Sequence, residues 1–256
     1  MNLLSKVGSY DFLVEPFHCD FSNRIFIGHL GNHLLNAADF HSNERGYGMD
    51  YLNTVHKTWV LSRFVMEMTD MPKAYDRITV DTWVENVMKF FTSRNFTIRD
   101  KEGKIYGYGR SIWAMIDTES RQRVDILQER DGLITKYIET DKECPIEPFK
   151  RVKVAKTTEV SHSIDTHYSD VDVNGHINSV KYIEHILDMW PLDWYNKYRL
   201  QRIDIAYVAE SYFGDKLHFA VEQRSDEEYD IMVLKSNDNS TDMKEVCRCK
   251  LIFVKN

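Results

Sequence analysis

The chain has 256 residues, 43% hydrophobic and 29% charged, enough to bury a sizeable core in one large domain or two small ones. A formal net charge of -7 argues against generic nucleic-acid binding and against a polybasic membrane-surface protein, both of which need a basic face. No run approaches the roughly 20 apolar residues of a membrane span. The opening MNLLSKVGSYDFLVEPFHCD lacks the apolar stretch of a signal peptide.

Cysteine adds one more exclusion. Cys247 and Cys249 have no second pair to complete a zinc site, and Cys19 and Cys144 stand alone. The four read as reduced structural thiols, so a cytoplasmic location and no metal or other cofactor are expected.

In chain order, GHLGNHLLNAADFHSNERG predicts a helix with Leu30, Leu34, Leu35 and Ala38 on one face, ending at Gly46 and Gly48. Strands follow to about Asp117. They include DRITVDTWVENVMKFFTSRNFTIRD and GKIYGYGRSIWAMIDTES, rich in aromatic and β-branched residues. Polar turns punctuate the strands at 100–103 and 236–241. CPIEPFKRVKVAKTTEV, with Pro145 and Pro148, reads as a linker. After the strand-like TTEVSHSIDTHYSD, GHINSVKYIEHILDMW predicts a second helix. Its Ile177, Val180, Ile183, Ile186, Leu187 and Trp190 recur every three or four residues, and Pro191 stops it. Strands then run to the end.

The order thus repeats. Gly28-His29-Leu30 echoes Gly175-His176-Ile177, and YDRITV at 75–80 echoes GDKLHF at 214–219. A strand, one long helix and an antiparallel sheet wrapped round it make the hot-dog arrangement. The expected fold is therefore α+β, two tandem hot-dog domains at 1–140 and 159–256 joined by a linker at 141–158.

The stretch DVDVNGHINSVKYIEH opens like a calcium loop, with Asp170, Asp172 and Asn174 alternating before Gly175. Such a loop needs a bidentate glutamate at its twelfth position, and here that position is Lys181. Calcium binding is excluded on that ground. Asp172 and Asn174 are instead helix-capping residue types, which would put Gly175 and His176 in or near the first helical turn. Their backbone N–H groups would then be free to stabilise an oxyanion, flanked by an imidazole, an amide and a carboxylate. That inventory suits acyl transfer to water. The competing reading of His176 is an imidazole satisfied by the backbone near a helix cap.

With these residues in view, DVDVNGHINSVKYIEHILDMWP resembles the signature of the acyl-acyl-carrier-protein thioesterases, plant FatA/FatB-like and bacterial. Asp172, Asn174, His176, Asn178, Lys181 and Tyr182 match its run, and Ser179 departs from it. KTWVLSRFVMEMTDMPKAYDRITVDTWVE and DIAYVAESYFGDKL are also similar to that family, so the resemblance covers nearly the whole chain. It implies hydrolysis of a fatty acyl thioester on acyl carrier protein, with Asp172, Asn174, His176 and Glu210 as catalytic residues. The residue after the glutamate is Ser211 where the plant enzymes have cysteine. A serine hydroxyl is a weak nucleophile without a well-placed base, so direct attack by water is expected, with Glu210 as base. His176 as base and Glu210 as orienter is the inverse assignment.

Aligned on the YDRITV echo, the first-half counterpart of Glu210-Ser211 is Met71-Pro72, which carries no carboxylate. One active site per chain is expected, with the first half binding the acyl chain through candidates Phe64, Met66, Met68, Met88, Phe90 and Phe91. An acidic carrier needs a local basic patch, for which Lys181, Lys197, Arg199 and Arg202 are candidates. A homodimer is a further expectation. The rival functions are a hot-dog dehydratase acting on 3-hydroxyacyl thioesters and a non-catalytic acyl-thioester binding module.

Overall fold

The structure is a computed structural model that describes residues 3–237 and 240–256. The turn expected at 236–241 therefore lies partly outside the described residues. The chain divides into two compact units, Met1–Pro148 and Phe149–Asn256.

In the first unit β1 (Gly8–Leu13) is followed by the long helix α1 (Ile27–Glu44) and one turn of helix, α2 (Met49–Leu52). Four strands complete it: β2 (Lys57–Met68), β3 (Arg77–Val87), β4 (Phe91–Arg99) and β5 (Ile105–Asp117). They form an antiparallel sheet in the order β1-β3-β4-β5-β2. Leu30, Leu34, Ala37, Ala38 and His41 make one buried stripe along α1, as the spacing requires, while Leu35 sits at its margin. The backbones approach closely there, because a Cβ on Gly109 of β5 would come within 2.8 Å of Leu34 Cδ2. Just past α1, Gly46 takes a left-handed φ of 77°, which ends the helical run.

The second unit repeats this plan with β6 (Val160–Asp165), helix α3 (Ser179–Leu187), short helix α4 (Leu192–Lys197), β7 (Tyr198–Tyr207), β8 (Lys216–Gln223), β9 (Glu228–Asn237) and β10 (Ser240–Lys255). Its antiparallel order, β6-β8-β9-β10-β7, is that of the first unit element for element. Val180, Tyr182, Ile183 and Ile186 of α3 are buried, so the helix is apolar round much of its circumference.

Helix α3 is shorter than the sequence predicts at both ends. Gly175 has a φ of 79°, which no right-handed helix accommodates. The cap is Asn178, whose Oδ1 accepts from the Val180 N–H at 3.0 Å. At the other end Trp190 lies beyond the helix, and its ring packs on Tyr229 and Phe253.

Residues 141–158 carry no helix or strand but are held down within each unit. The Arg110 guanidinium donates to the carbonyls of Cys144 and Ile146 at 2.7 and 3.1 Å. In the second unit Val152 and Val154 are buried with Ala220 and Met232. No helix among the described residues is long and apolar enough to cross a membrane.

Candidate active site

The loop before α3 is built by one carboxylate. Asp172 Oδ1 accepts from the backbone N–H of Asn174 at 2.8 Å and of His176 at 3.3 Å. The Asp172 N–H donates to the His176 carbonyl and the Gly175 N–H to the Asp172 carbonyl, closing a tight turn over which Val171 pairs with Ile177. Short polar side chains favour such local side-chain-to-backbone bonds over a helix. The turn is fixed at both feet: Asn178 N–H donates to the Asp170 carbonyl, and Ile177 N–H to the Ser211 carbonyl. Asp170 is itself buried, with Oδ1 2.9 Å from His185 Nε2 on α3 and Oδ2 accepting from the His167 N–H.

This corrects one sequence expectation. The amides of Gly175 and His176 do not project from a helix end, because both are already donating inside the turn. An oxyanion would have to find other donors. The Asn174 side chain is exposed and makes no hydrogen bond among the described residues.

The turn aims His176 at the segment that follows β7. His176 Nε2 lies 3.5 Å from Glu210 Oε2, and the side chains are only 25% and 28% exposed, shielded yet within reach of a ligand. Tyr212, absent from the sequence reading, donates its hydroxyl to the same Oε2 at 3.1 Å and sets its ring edge-on to the imidazole, centroids 5.1 Å apart. Its one sequence signal is position: two residues beyond a carboxylate in extended chain, a side chain returns to the same side. Ser211, between them, is fully buried and faces Tyr182 of α3, whose own phenol burial pushes up in pKa. A nucleophile needs access that Ser211 lacks.

A second copy of this turn stands in the first unit. Asp20 Oδ1 accepts from the N–H of Ser22 and Arg24, Asp20 N–H donates to the Arg24 carbonyl, and Asn23 N–H to the Asp20 carbonyl. Asn23 has a φ of 62° where the second turn has Gly175, and Cys19 pairs with Ile25 across it. Ile25 N–H donates to the Pro72 carbonyl as Ile177 does to Ser211. The pairing of Met71-Pro72 with Glu210-Ser211 is thus reproduced by hydrogen bonds. The Gly-His-Leu echo is not, because Gly28 and His29 lie inside α1 whereas Gly175 and His176 precede α3. In this copy Arg24 stands in place of His176 and Met71 in place of Glu210.

The other candidates separate by burial. Arg202 is no docking cation: it is 3% exposed on β7 and bound to buried Asp204 at 2.7 and 2.8 Å. Lys181 pairs with Glu184 at 2.7 Å, Lys197 is exposed at the end of α4, and Arg199 is half-buried on β7. Phe64, Met66 and Met68 are core residues of the first unit. Phe90 and Phe91 are half-buried beneath the cations of Lys89 and Arg123, and Met88 is exposed. Among the described residues no group of three His, Cys, Asp or Glu side chains could hold a metal ion.

Two tandem hot-dog units, one with a His-Glu pair on a locked turn, define a class of double hot-dog proteins. The comparisons narrow it. Residues 6–133 match the family model of the acyl-ACP thioesterase N-terminal domain, and residues 153–254 that of the C-terminal domain. The chain belongs to the acyl-ACP thioesterase family. A solved acyl-ACP thioesterase from Bacteroides thetaiotaomicron is 46% identical with a TM-score of 0.89, covering 97% of this chain and 98% of that one. The 12:0-ACP thioesterase of Umbellularia californica, 18% identical, shares the fold over 100% of both chains at a TM-score of 0.84. A chloroplastic palmitoyl-acyl carrier protein thioesterase from Gossypium hirsutum is 28% identical over 214 residues, 80% of this chain and 52% of that protein. The chain spans about half the length of the curated plant relatives it matches.

Proposed function

We propose that this chain hydrolyses the thioester of a fatty acyl group borne by an acyl carrier protein, releasing free fatty acid and so ending chain elongation. The observation that carries the reading is the half-shielded His176–Glu210 pair, 3.5 Å apart on a turn locked by Asp172. Family membership and the 46% identical Bacteroides relative, described as an acyl-ACP thioesterase, support the substrate class.

The groups present suit direct hydrolysis. Glu210 takes a proton from water as the new C–O bond forms at the thioester carbonyl. The Asn174 amide donates to the oxyanion, and one such donor contributes on the order of a hundred- to a thousand-fold in rate. Collapse breaks the C–S bond, and the departing thiolate takes up the proton that water gave. His176 fixes the carboxylate that starts the sequence. With Arg24 and Met71 in the corresponding places of the first unit, one hydrolytic site per chain is proposed.

The test is thiol release from a panel of acyl carrier proteins loaded with acyl chains of different length. Free thiol and free acid in equal amounts support the reading. Water loss from a 3-hydroxyacyl substrate without thiol release indicates a dehydratase, and tight binding without turnover a binding module; either result overturns it.

A further inference from the structure

Tyr212 has three constraints that burial does not explain. The residue is 46% exposed, so apolar packing does little to hold it. Instead, its backbone N–H donates to Asp215 Oδ2 at 2.9 Å, and its carbonyl accepts from Asp215 N–H and the Thr166 hydroxyl. The Lys235 ammonium sits 5.0 Å from its ring centroid and is itself held by Asp215 Oδ2 at 2.9 Å. A clamp of one lysine and one aspartate thus fixes an exposed aromatic side chain. What the clamp aims is the hydroxyl at Glu210 Oε2, 3.1 Å away, and the ring edge at His176.

The chemistry gives that arrangement a use. A glutamate has three rotatable side-chain bonds, and a general base acts only within hydrogen-bond reach of its proton. His176 and Tyr212 both approach the same oxygen of Glu210, from an imidazole at 3.5 Å and a phenol at 3.1 Å. Two groups on Oε2 restrict the carboxylate's rotation. A tyrosine suits the task because it is rigid about two torsions and its ring buttresses the imidazole at the same time.

We propose that Tyr212 is a positioning residue for the hydrolysis, holding the Glu210 carboxylate by its hydroxyl and the His176 imidazole by its ring; this rests on the thioesterase reading of the pair. It touches no reacting atom and acts only through those two side chains.

The experiment is a double-mutant cycle read as kcat and KM on a carrier-borne acyl thioester. Tyr212→Phe keeps the ring and removes the hydroxyl, and is expected to lower kcat about tenfold with KM and melting temperature unchanged. Tyr212→Leu removes both contacts and is expected to lower kcat further. Glu210→Asp withdraws the carboxylate by one methylene. If Tyr212 acts through Glu210, adding Tyr212→Phe to Glu210→Asp costs nothing more. Unchanged kcat in Tyr212→Phe, a loss confined to KM, or a full tenfold loss on top of Glu210→Asp overturns the inference while leaving the thioesterase reading intact. A wild-type chain that releases no thiol overturns that reading instead.

Discussion

His176 Nε2 and Glu210 Oε2 stand 3.5 Å apart although the chain separates them by the whole of α3, α4 and β7. A pair assembled from distant segments, 3.5 Å apart and still partly open to solvent, stabilises the fold little, since ion pairs at the surface contribute about 0–1 kcal/mol. His176→Ala and Glu210→Gln are each expected to lower kcat by about a hundredfold or more while leaving the melting temperature unchanged. Steady-state kinetics with thermal unfolding of the same samples checks both. Ser211→Ala, at a fully buried position, should keep kcat within a few-fold. An inactive Ser211→Ala that still folds would replace water attack with an acyl-enzyme.

Asp20 and Asp172 organise matching turns in the two units, so their removal separates scaffold from chemistry. Each carboxylate accepts two backbone N–H groups, and both are partly solvated. Asp20→Ala and Asp172→Ala should each cost about 1.5–3 kcal/mol, the range for hydrogen bonds to charged groups. Only Asp172→Ala should also lose hydrolysis, because only its turn carries His176. Denaturant midpoints and kcat for the two variants decide it, and equal loss of activity in Asp20→Ala would contradict the assignment of one site per chain.

Arg202 and Arg199 are near neighbours on β7 with opposite fates. Removing Arg202 leaves Asp204 buried without its charge partner, and breaking a buried pair costs about 3–5 kcal/mol. Arg202→Met should therefore lower the unfolding midpoint sharply. Lys197→Glu with Arg199→Glu is expected to raise KM for the carrier-borne substrate, as the proposed docking role of the two cations requires. A small acyl thioester supplies the control: an equal rise in KM for it would overturn the proposal that these two side chains dock the carrier.

Much of the fold is legible from periodicity alone. The α1 stripe at Leu30, Leu34 and Ala38 and the α3 stripe at Val180, Ile183 and Ile186 both follow from the spacing of apolar residues. The ends of α3 were not legible in the same way. Asp172, Asn174 and Asn178 are all capping types, and sequence gives no reason to prefer the last. The decision is made by Gly175, whose positive φ lets Asp172 bind the amides of 174 and 176 before any helix begins. The duplicated turn was hidden for a related reason. Its geometry is carried by backbone bonds, and DFSNRI and DVNGHI share only their first and last residues. Tyr212 carried no motif beyond its place two residues after Glu210, and only the bond from its hydroxyl to that carboxylate reveals its role.

His41 on α1 makes the stability of the first unit pH-dependent. It is fully buried, with Nε2 3.0 Å from the Lys6 carbonyl and Nδ1 3.0 Å from the Tyr47 hydroxyl. A neutral ring satisfies both, donating at Nε2 and accepting at Nδ1. Burial, then the charges of Arg94 and Arg45, push its pKa from 6.5 down to about 2. The folded value lies below the unfolded one, so below pH 6.5 the unfolded chain takes up a proton that the native chain refuses. The contribution is therefore fully present above pH 6.5 and is lost as pH falls toward 2, by up to about 1.4 kcal/mol per pH unit. His41→Gln cannot titrate. Its stability deficit against wild type should shrink by about 2 kcal/mol between pH 7.5 and pH 5, the integral of that slope over the window. Denaturant unfolding of both proteins at the two pH values measures the difference directly. Because other groups titrate alike in both chains, their effects cancel, and a deficit that stays constant would mean that His41 is protonated in the native fold.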